Sequence, residues 1–345
     1  MKDKYYKIAR FNPSITTLNL GDCIIDYYCK KALEELFGEY MALDVPTRDH
    51  LSRFTSREIA KSDYAFICGS NLLASNMNHE KQWMLRMPDA LKVRFGAMKK
   101  KDIMHPGRIK DIIAGTHVIL LGAGWHGYQK EPNTYTKFLL NTLLDHSYIH
   151  SVRDSYTEKK LREAGFTNVM NTACPTMWGL TEKHCSEIPV TKAKSVVFTL
   201  TDYQKNPERD RKLVNILRQE YEHVYFWLQS LSDRDYLYAI GMTDRVHIIP
   251  PTIQAYDTFL HSDQDIDYIG TRLHGGIHAL NIGRRTAVIA VDNRAVEIAK
   301  DTGLPVLDVT NSMEVVRNWI YNETPTRIRL PIENILKWKQ QFENR

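Results

Sequence analysis

The chain has 345 residues, of which 43% are hydrophobic, 25% charged and 10% aromatic. These fractions are those of soluble globular proteins, and they exclude a disordered chain, a collagen-like repeat and a disulfide-dense scaffold. Lysine and arginine number 46 against 41 aspartates and glutamates, a net charge of +5; this surplus is too small to point to nucleic acid and suits an anionic small molecule.

At roughly 150 residues per domain, the length predicts two domains, each with its own core. The first residues, Met1-Lys2-Asp3-Lys4-Tyr5-Tyr6-Lys7, lack the apolar run of a signal peptide. No apolar run reaches the roughly 18 residues of a membrane span. The five cysteines, Cys23, Cys29, Cys68, Cys174 and Cys185, are odd in number and form no CxxC pair, so the expected setting is cytoplasmic and reducing.

Short β-rich runs alternate with amphipathic stretches. Tyr5 to Phe11, Tyr64 to Cys68, His117 to Leu121 and Tyr148 to Val152 read as strands. Asp22 to Phe37, Thr134 to Leu144 and Tyr156 to Ala164 read as helices. The rhythm pauses from Thr172 to Lys194 and resumes with strands at Ser195 to Leu200, His223 to Leu228, Val246 to Ile249, Ile266 to Ile269 and Thr286 to Val291. The intervening helices are Glu208 to Glu220, Asp233 to Ile240, Ile253 to His261 and His274 to Ile282. This alternation predicts an α/β fold of two Rossmann-like domains with parallel sheets and a ligand cleft between them. The expected division is residues 1–175, a linker at 176–193, residues 194–330, and a packing helix within 331–345. Residues 71–110 break the pattern; Lys99-Lys100-Lys101, Arg108 and Lys110 there suggest a lid, a solvated excursion, or a basic contact with an anionic membrane.

Four junctions carry the candidate chemistry. In Ile269-Gly270-Thr271-Arg272-Leu273-His274-Gly275-Gly276-Ile277-His278 a strand gives way to a small-residue helix. Free N–H groups and the helix dipole there attract phosphate or carboxylate. Arg272 adds a bidentate cation, His274 titrates near neutral pH, and Gly275 lets a ligand approach the backbone. His274 and His278 share a helix face, yet no carboxylate completes a metal site, so no metal is expected. At the second junction, Arg153 follows a strand and Asp154 or Ser155 caps a helix; Arg153 is read as an anion ligand or a surface arginine. At the third, Asn19, Gly21 and Asp22 open the first helix as caps or as hydroxyl and phosphate contacts. At the fourth, Gly122-Ala123-Gly124-Trp125-His126-Gly127 is no dinucleotide fingerprint; Trp125 and His126 offer either a sugar-stacking face or loop packing.

Taken in order, these blocks resemble the polysaccharide pyruvyl transferase family: Asn19-x-Gly21-Asp22, then Arg153-Asp154-Ser155 with Leu161 and Gly165, then Arg272 to Leu280 followed by Ala287 to Ala290 and Asp292. The sequence departs from the family pattern at Gly69-Ser70-Asn71, where a glycine triplet is expected, at Cys174-Pro175 for Asp-Pro, and at Arg294 for lysine. The resemblance implies a GT-B-like fold and transfer of pyruvate from phosphoenolpyruvate to a sugar, oligosaccharide or lipid-linked saccharide as a ketal, with no added cofactor. It places phosphoenolpyruvate on Arg153, Arg272, Leu273, Gly275 and Arg294, with His274 as general acid. The general base stays open between Asp22 and His278, and so does the oligomeric state. The alternative is a nucleotide-sugar glycosyltransferase of GT-B type, and a third reading is a non-catalytic carbohydrate- or anion-binding protein. The expected location is cytoplasmic or peripheral at the inner face of the membrane.

Overall fold

A computed structural model describes residues 5–47, 51, 53–77 and 115–343. The chain divides into two units. The first comprises residues 1–17, 25–175 and 331–345, and the second residues 18–24 and 176–330.

The sheet of the first unit is parallel, in the order β2 (Met41–Pro46), β1 (Lys7–Asn12), β3 (Tyr64–Cys68), β4 (His117–Leu121). A parallel pair, β5 (His150–Val152) and β6 (Val169–Asn171), continues it through the bridge between Ala123 and Val152. β3 and most of β4 are fully buried, as apolar runs covered on both faces must be. The core includes Phe11, Ile67, Leu120, Trp125, Leu140 and Phe166. The helix Ile332–Gln340 docks on this unit, where Trp338 and Phe342 pack against Phe37, Phe66 and Tyr148.

The second unit has a six-stranded parallel sheet: β12 (Val306–Leu307), β11 (Thr286–Ile289), β10 (Ile266–Gly270), β7 (Ser195–Thr199), β8 (His223–Trp227), β9 (His247–Ile249). Counted from β7, this is the doubly wound order 3-2-1-4-5-6, and the chain direction switches between β7 and β10. Ligands of such sheets bind beyond the carboxyl ends of the strands at the switch. The α/β class with parallel sheets is therefore the one the alternation predicts.

The differences have local causes. Residues 176–193 are no free linker: Met177 and Leu180 are fully buried, a helix runs Glu182–Ser186, and His184 Nε2 meets the Leu280 carbonyl at 2.7 Å. The strand expected from Tyr148 begins at His150, and the one expected to reach Val291 stops at Ile289. The basic cluster at 99–101, 108 and 110 lies outside the described residues. No helix among the described residues is long and apolar enough to cross a membrane.

Candidate functional site

The carboxyl edge of the second sheet gathers four loops from neighbouring strands. Arg272 follows β10 and N-caps the helix Leu273–Asn281. Its guanidinium is 2% exposed. Nε donates to the Leu200 carbonyl at 3.0 Å, and one terminal nitrogen donates to Asp202 at 2.9 Å and also to Asp233. The Tyr203 ring faces the guanidinium with its centre 4.9 Å away. Nη1 has no partner among the described residues. Burial alone would lower the pKa of Arg272, but Asp233, Tyr203 and Asp202 outweigh that and raise it. Asp233 also closes a capping box with Ser230. Burial pushes the Asp233 carboxyl up to about 6 against the pull of Arg272.

His274 and Gly275 occupy the first turn of the same helix, with His274 buried and Leu273 preceding it. One turn on, His278 Nε2 stands 2.5 Å from Asp257 Oδ1, which ties this histidine to the helix Ile253–Leu260. Among the described residues no group of three histidines, cysteines or carboxylates is placed to hold a metal ion.

Arg294 lies past β11 in the first turn of the helix Asn293–Thr302, which Asp292 caps. Its side chain donates to Asp292 at 2.9 Å and to the Tyr203 hydroxyl at 2.9 Å. Tyr203 thus holds one arginine by its face and the other by its oxygen. Burial opposes the Arg294 charge, and Asp292 and Tyr203 hold it protonated. Beside it Asn293 is buried, and its Nδ2 has no partner among the described residues.

Past β8, Gln229 reaches the segment 18–24. Its Nε2 donates to Asn19 Oδ1 at 2.8 Å, its carbonyl accepts from Leu20 N at 3.0 Å, and Gly21 N also donates to Asn19 Oδ1 at 3.1 Å. Asp22 is buried in the first turn of the helix Leu20–Phe37.

The first unit carries Arg153, 2% exposed, directly after β5. Nε donates to Asp154 at 3.0 Å and Nη2 to Asn71 Oδ1 at 2.8 Å. Asp154 uses its other oxygen to cap the helix Ser155–Glu163 through Thr157 N at 2.7 Å. Gly124 makes room for this guanidinium, since a Cβ there would collide with Arg153 Cζ and Nε. His126 is exposed and stands 3.3 Å from Asn71 Nδ2. Trp125 is fully buried; its indole N–H donates to Ser75 Oγ at 3.3 Å, so its ring is core rather than a stacking face for a sugar. Ser70, in place of the second expected glycine, has φ +63, a left-handed conformation costing about 1–2 kcal/mol for a residue with a Cβ.

The structure thus brings Arg272, Leu273, His274, Gly275 and Arg294 to one sheet edge in the second unit, with Asn19, Gly21 and Asp22 among that unit's residues. Arg153, Trp125 and His126 belong to the first. The sequence reading did not find Asp202, Tyr203, Gln229, Asp233 or Asn71. The placement of 202–203 and of Gln229 just after strands, like that of Arg272, and the departure from the family pattern at Asn71 are the signals that could have found them.

The family model for polysaccharide pyruvyl transferase matches residues 18–293. No curated protein matches the chain at a significant level. Three solved structures are similar to it in outline. One is MnaA of S. aureus with UDP: 12% identity, 98% of this chain and 96% of that one covered, TM-score 0.49. Another is UDP-GlcNAc 2-epimerase of Neisseria meningitidis bound to UDP-GlcNAc: 11% identity, 98% and 92%, TM-score 0.43. The third is heptosyltransferase WaaC of E. coli with ADP-2-deoxy-2-fluoro heptose: 8% identity, 82% and 88%, TM-score 0.35. Likenesses of this size carry no argument about substrate.

Proposed function

Because this chain belongs to the polysaccharide pyruvyl transferase family, we propose that it transfers pyruvate from phosphoenolpyruvate to two hydroxyls of a saccharide, forming a cyclic ketal and releasing phosphate. One observation carries the donor assignment. Two buried side-chain donors, Arg272 Nη1 and Asn293 Nδ2, have no partner among the described residues and follow the adjacent strands β10 and β11. A buried donor left unsatisfied costs about 1–3 kcal/mol. Phosphoenolpyruvate, with a phosphate and a carboxylate, is an acceptor at both ends and would satisfy both donors. The start of the helix Leu273–Asn281 adds backbone N–H groups and the favourable end of its dipole.

The local charge matters. Arg272 and Arg294 face three carboxylates, Asp202, Asp233 and Asp292, so the site is no bare positive patch. The carboxylates and Tyr203 fix the direction of each guanidinium, and the anion is bound by directed N–H groups rather than by surplus charge.

His274, in the first turn, is the proposed general acid. It delivers a proton to the vinyl methylene, which becomes the ketal methyl, or to the departing phosphate. The central carbon gains two C–O bonds to the sugar and loses its bond to the phosphate oxygen and its π bond to the methylene. Of the two hydroxyl protons released, one balances the new methyl and the other leaves with phosphate. Asp22 and His278 remain the candidates for the base. Arg153 is assigned to the donor on the family resemblance alone.

The test is release of phosphate from phosphoenolpyruvate with gain of one pyruvyl group on an oligosaccharide or lipid-linked acceptor, read by mass. General acids contribute about 10²–10⁴-fold, so His274→Ala should lose that much of kcat. Full activity in that variant would remove the assignment. Thermal protection by nucleotide sugars but not by phosphoenolpyruvate would replace the donor altogether.

A further inference from the structure

The orphaned groups of the second sheet edge are of two kinds. Arg272 Nη1, Asn293 Nδ2 and, at the end of β8, Trp227 Nε1 are donors, whereas Gln229 Oε1, past β8, is an acceptor; none of them has a partner among the described residues, and the Gln229 side chain is 3% exposed. Ionised phosphoenolpyruvate has no hydrogen to give, so it can satisfy the first kind and never the second.

The orientation of this amide is fixed by its neighbours. Gly21 N donates to Asn19 Oδ1, which makes that oxygen an acceptor, and so Gln229 must present its NH2 to Asn19. Its oxygen is thereby turned to the opposite side, toward the start of the helix Leu273–Asn281. A Cβ on Gly21 would stand 2.7 Å from Gln229 Nε2, and a Cβ on Gly275 would stand 3.0 Å from Oε1. Two glycines, one from the Asn19-x-Gly21-Asp22 block and one from the Arg272 to Leu280 block, flank one amide. The oxygen it directs at the first turn lies next to Gly275, one residue beyond His274.

We propose that Gln229 Oε1 accepts a hydrogen bond from a hydroxyl of the saccharide acceptor and so orients the acceptor at the helix start. The inference rests on the pyruvyl-transfer reading for the identity of its ligand as a saccharide. A hydroxyl suits the position chemically, because it donates to Gln229 while its oxygen keeps lone pairs free to attack. The amide is held from its other end by Asn19, so it is directed before the ligand arrives. A site built around a polar group discriminates strongly against a ligand lacking the matching hydroxyl, since that group is then left unpaired.

Titration calorimetry of the full chain with p-nitrophenyl β-galactoside, β-glucoside and N-acetyl-β-mannosaminide and their single-deoxy analogues tests this. Phosphoenolpyruvate is titrated separately into the same samples. In wild type, removal of one particular hydroxyl should weaken binding at least about tenfold. In Gln229→Met the same removal should change nothing further, while phosphoenolpyruvate affinity stays within about twofold of wild type. Asn19→Ala removes the acceptor of both Gln229 Nε2 and Gly21 N, so the amide is no longer directed and the deoxy discrimination should fall, while phosphoenolpyruvate affinity again stays within about twofold of wild type. The proposal is overturned if no glycoside binds the wild type, or if every deoxy analogue loses as much with Gln229→Met as without it. It is also overturned if Gln229→Met weakens phosphoenolpyruvate and glycosides alike. Failure of phosphoenolpyruvate to bind the wild type would instead strike the donor reading, and the glycoside titrations would still decide this one.

Discussion

Replacing Gly124 by alanine isolates the space that the Arg153 guanidinium requires. Gly124 is not among the residues with positive φ, so alanine meets no left-handed strain there. The added methyl would instead overlap Cζ, Nε and Nη2 of Arg153. That side chain is 2% exposed and cannot move aside without giving up its bonds to Asp154 at 3.0 Å and Asn71 at 2.8 Å. Breaking a buried ion pair costs about 3–5 kcal/mol, consistent with two charge-assisted bonds at about 1.5–3 kcal/mol each. In a unit of this size that is a Tm lower by roughly 6–20 °C. Gly127→Ala is the control: Gly127 has φ +64 and nothing within 4 Å of its missing Cβ, so it should cost only the left-handed strain, about 1–2 kcal/mol. Urea unfolding of the two variants decides the matter. Equal costs, or a Gly124→Ala variant within about 1 kcal/mol of wild type, would refute the steric reasoning.

Two further predictions concern the same unit. His150 is fully buried, and burial pushes its pKa down to about 4. The unfolded chain takes up this proton near 6.5 and the native state only near 4, so stability is lost as pH falls through that window, by about 3 kcal/mol. Urea midpoints of wild type and His150→Gln should therefore diverge in slope between about pH 6.5 and 4, and parallel curves would count against it. Trp338 is also fully buried and packs edge-on against Phe66 and Phe342, with ring centres 6.2 and 5.1 Å away. Trp338→Ala should cost about 3–5 kcal/mol by thermal unfolding, and a loss below about 1 kcal/mol would show that this helix is not part of the core.

Most strands that could be read from sequence are buried ones, with β9, a short and largely exposed edge strand, as the exception. β3, β4 and β7 carry continuous apolar runs because parallel strands are covered on both faces, whereas β10 is buried but interrupted by Asp267, whose Oδ2 accepts from Arg285 and Tyr221. β2 escaped because it is an edge strand, exposed at Met41, Ala42 and Asp44 and ending in proline. β6 and β12 are three and two residues long, too short to show a period. In the site, Arg272 was legible because it follows a strand locally, and Arg294 only through the family resemblance. Their surroundings were not. Asp202 lies 70 positions from Arg272, Asn71 82 from Arg153, and Asn19 210 from Gln229. Those pairings are made by the winding of the sheets, and no local spacing encodes them. For the same reason a mildly positive chain conceals a sheet edge at which three aspartates pair with two arginines.

The docking of Trp338 and Phe342 onto the first unit has a consequence for synthesis. Phe37, Tyr64, Phe66 and Tyr148 emerge early from the ribosome, yet the rings that cover them come last. All of residues 176–330 must be made in between. At translation rates of about 5–20 residues per second, that interval is roughly 10–30 s. For that time the earlier half of the chain carries an uncovered aromatic surface, and the later half can complete its six-stranded sheet first. The nascent chain is therefore exposed to aggregation through Tyr64, Phe66 and Tyr148, which are buried in the finished protein.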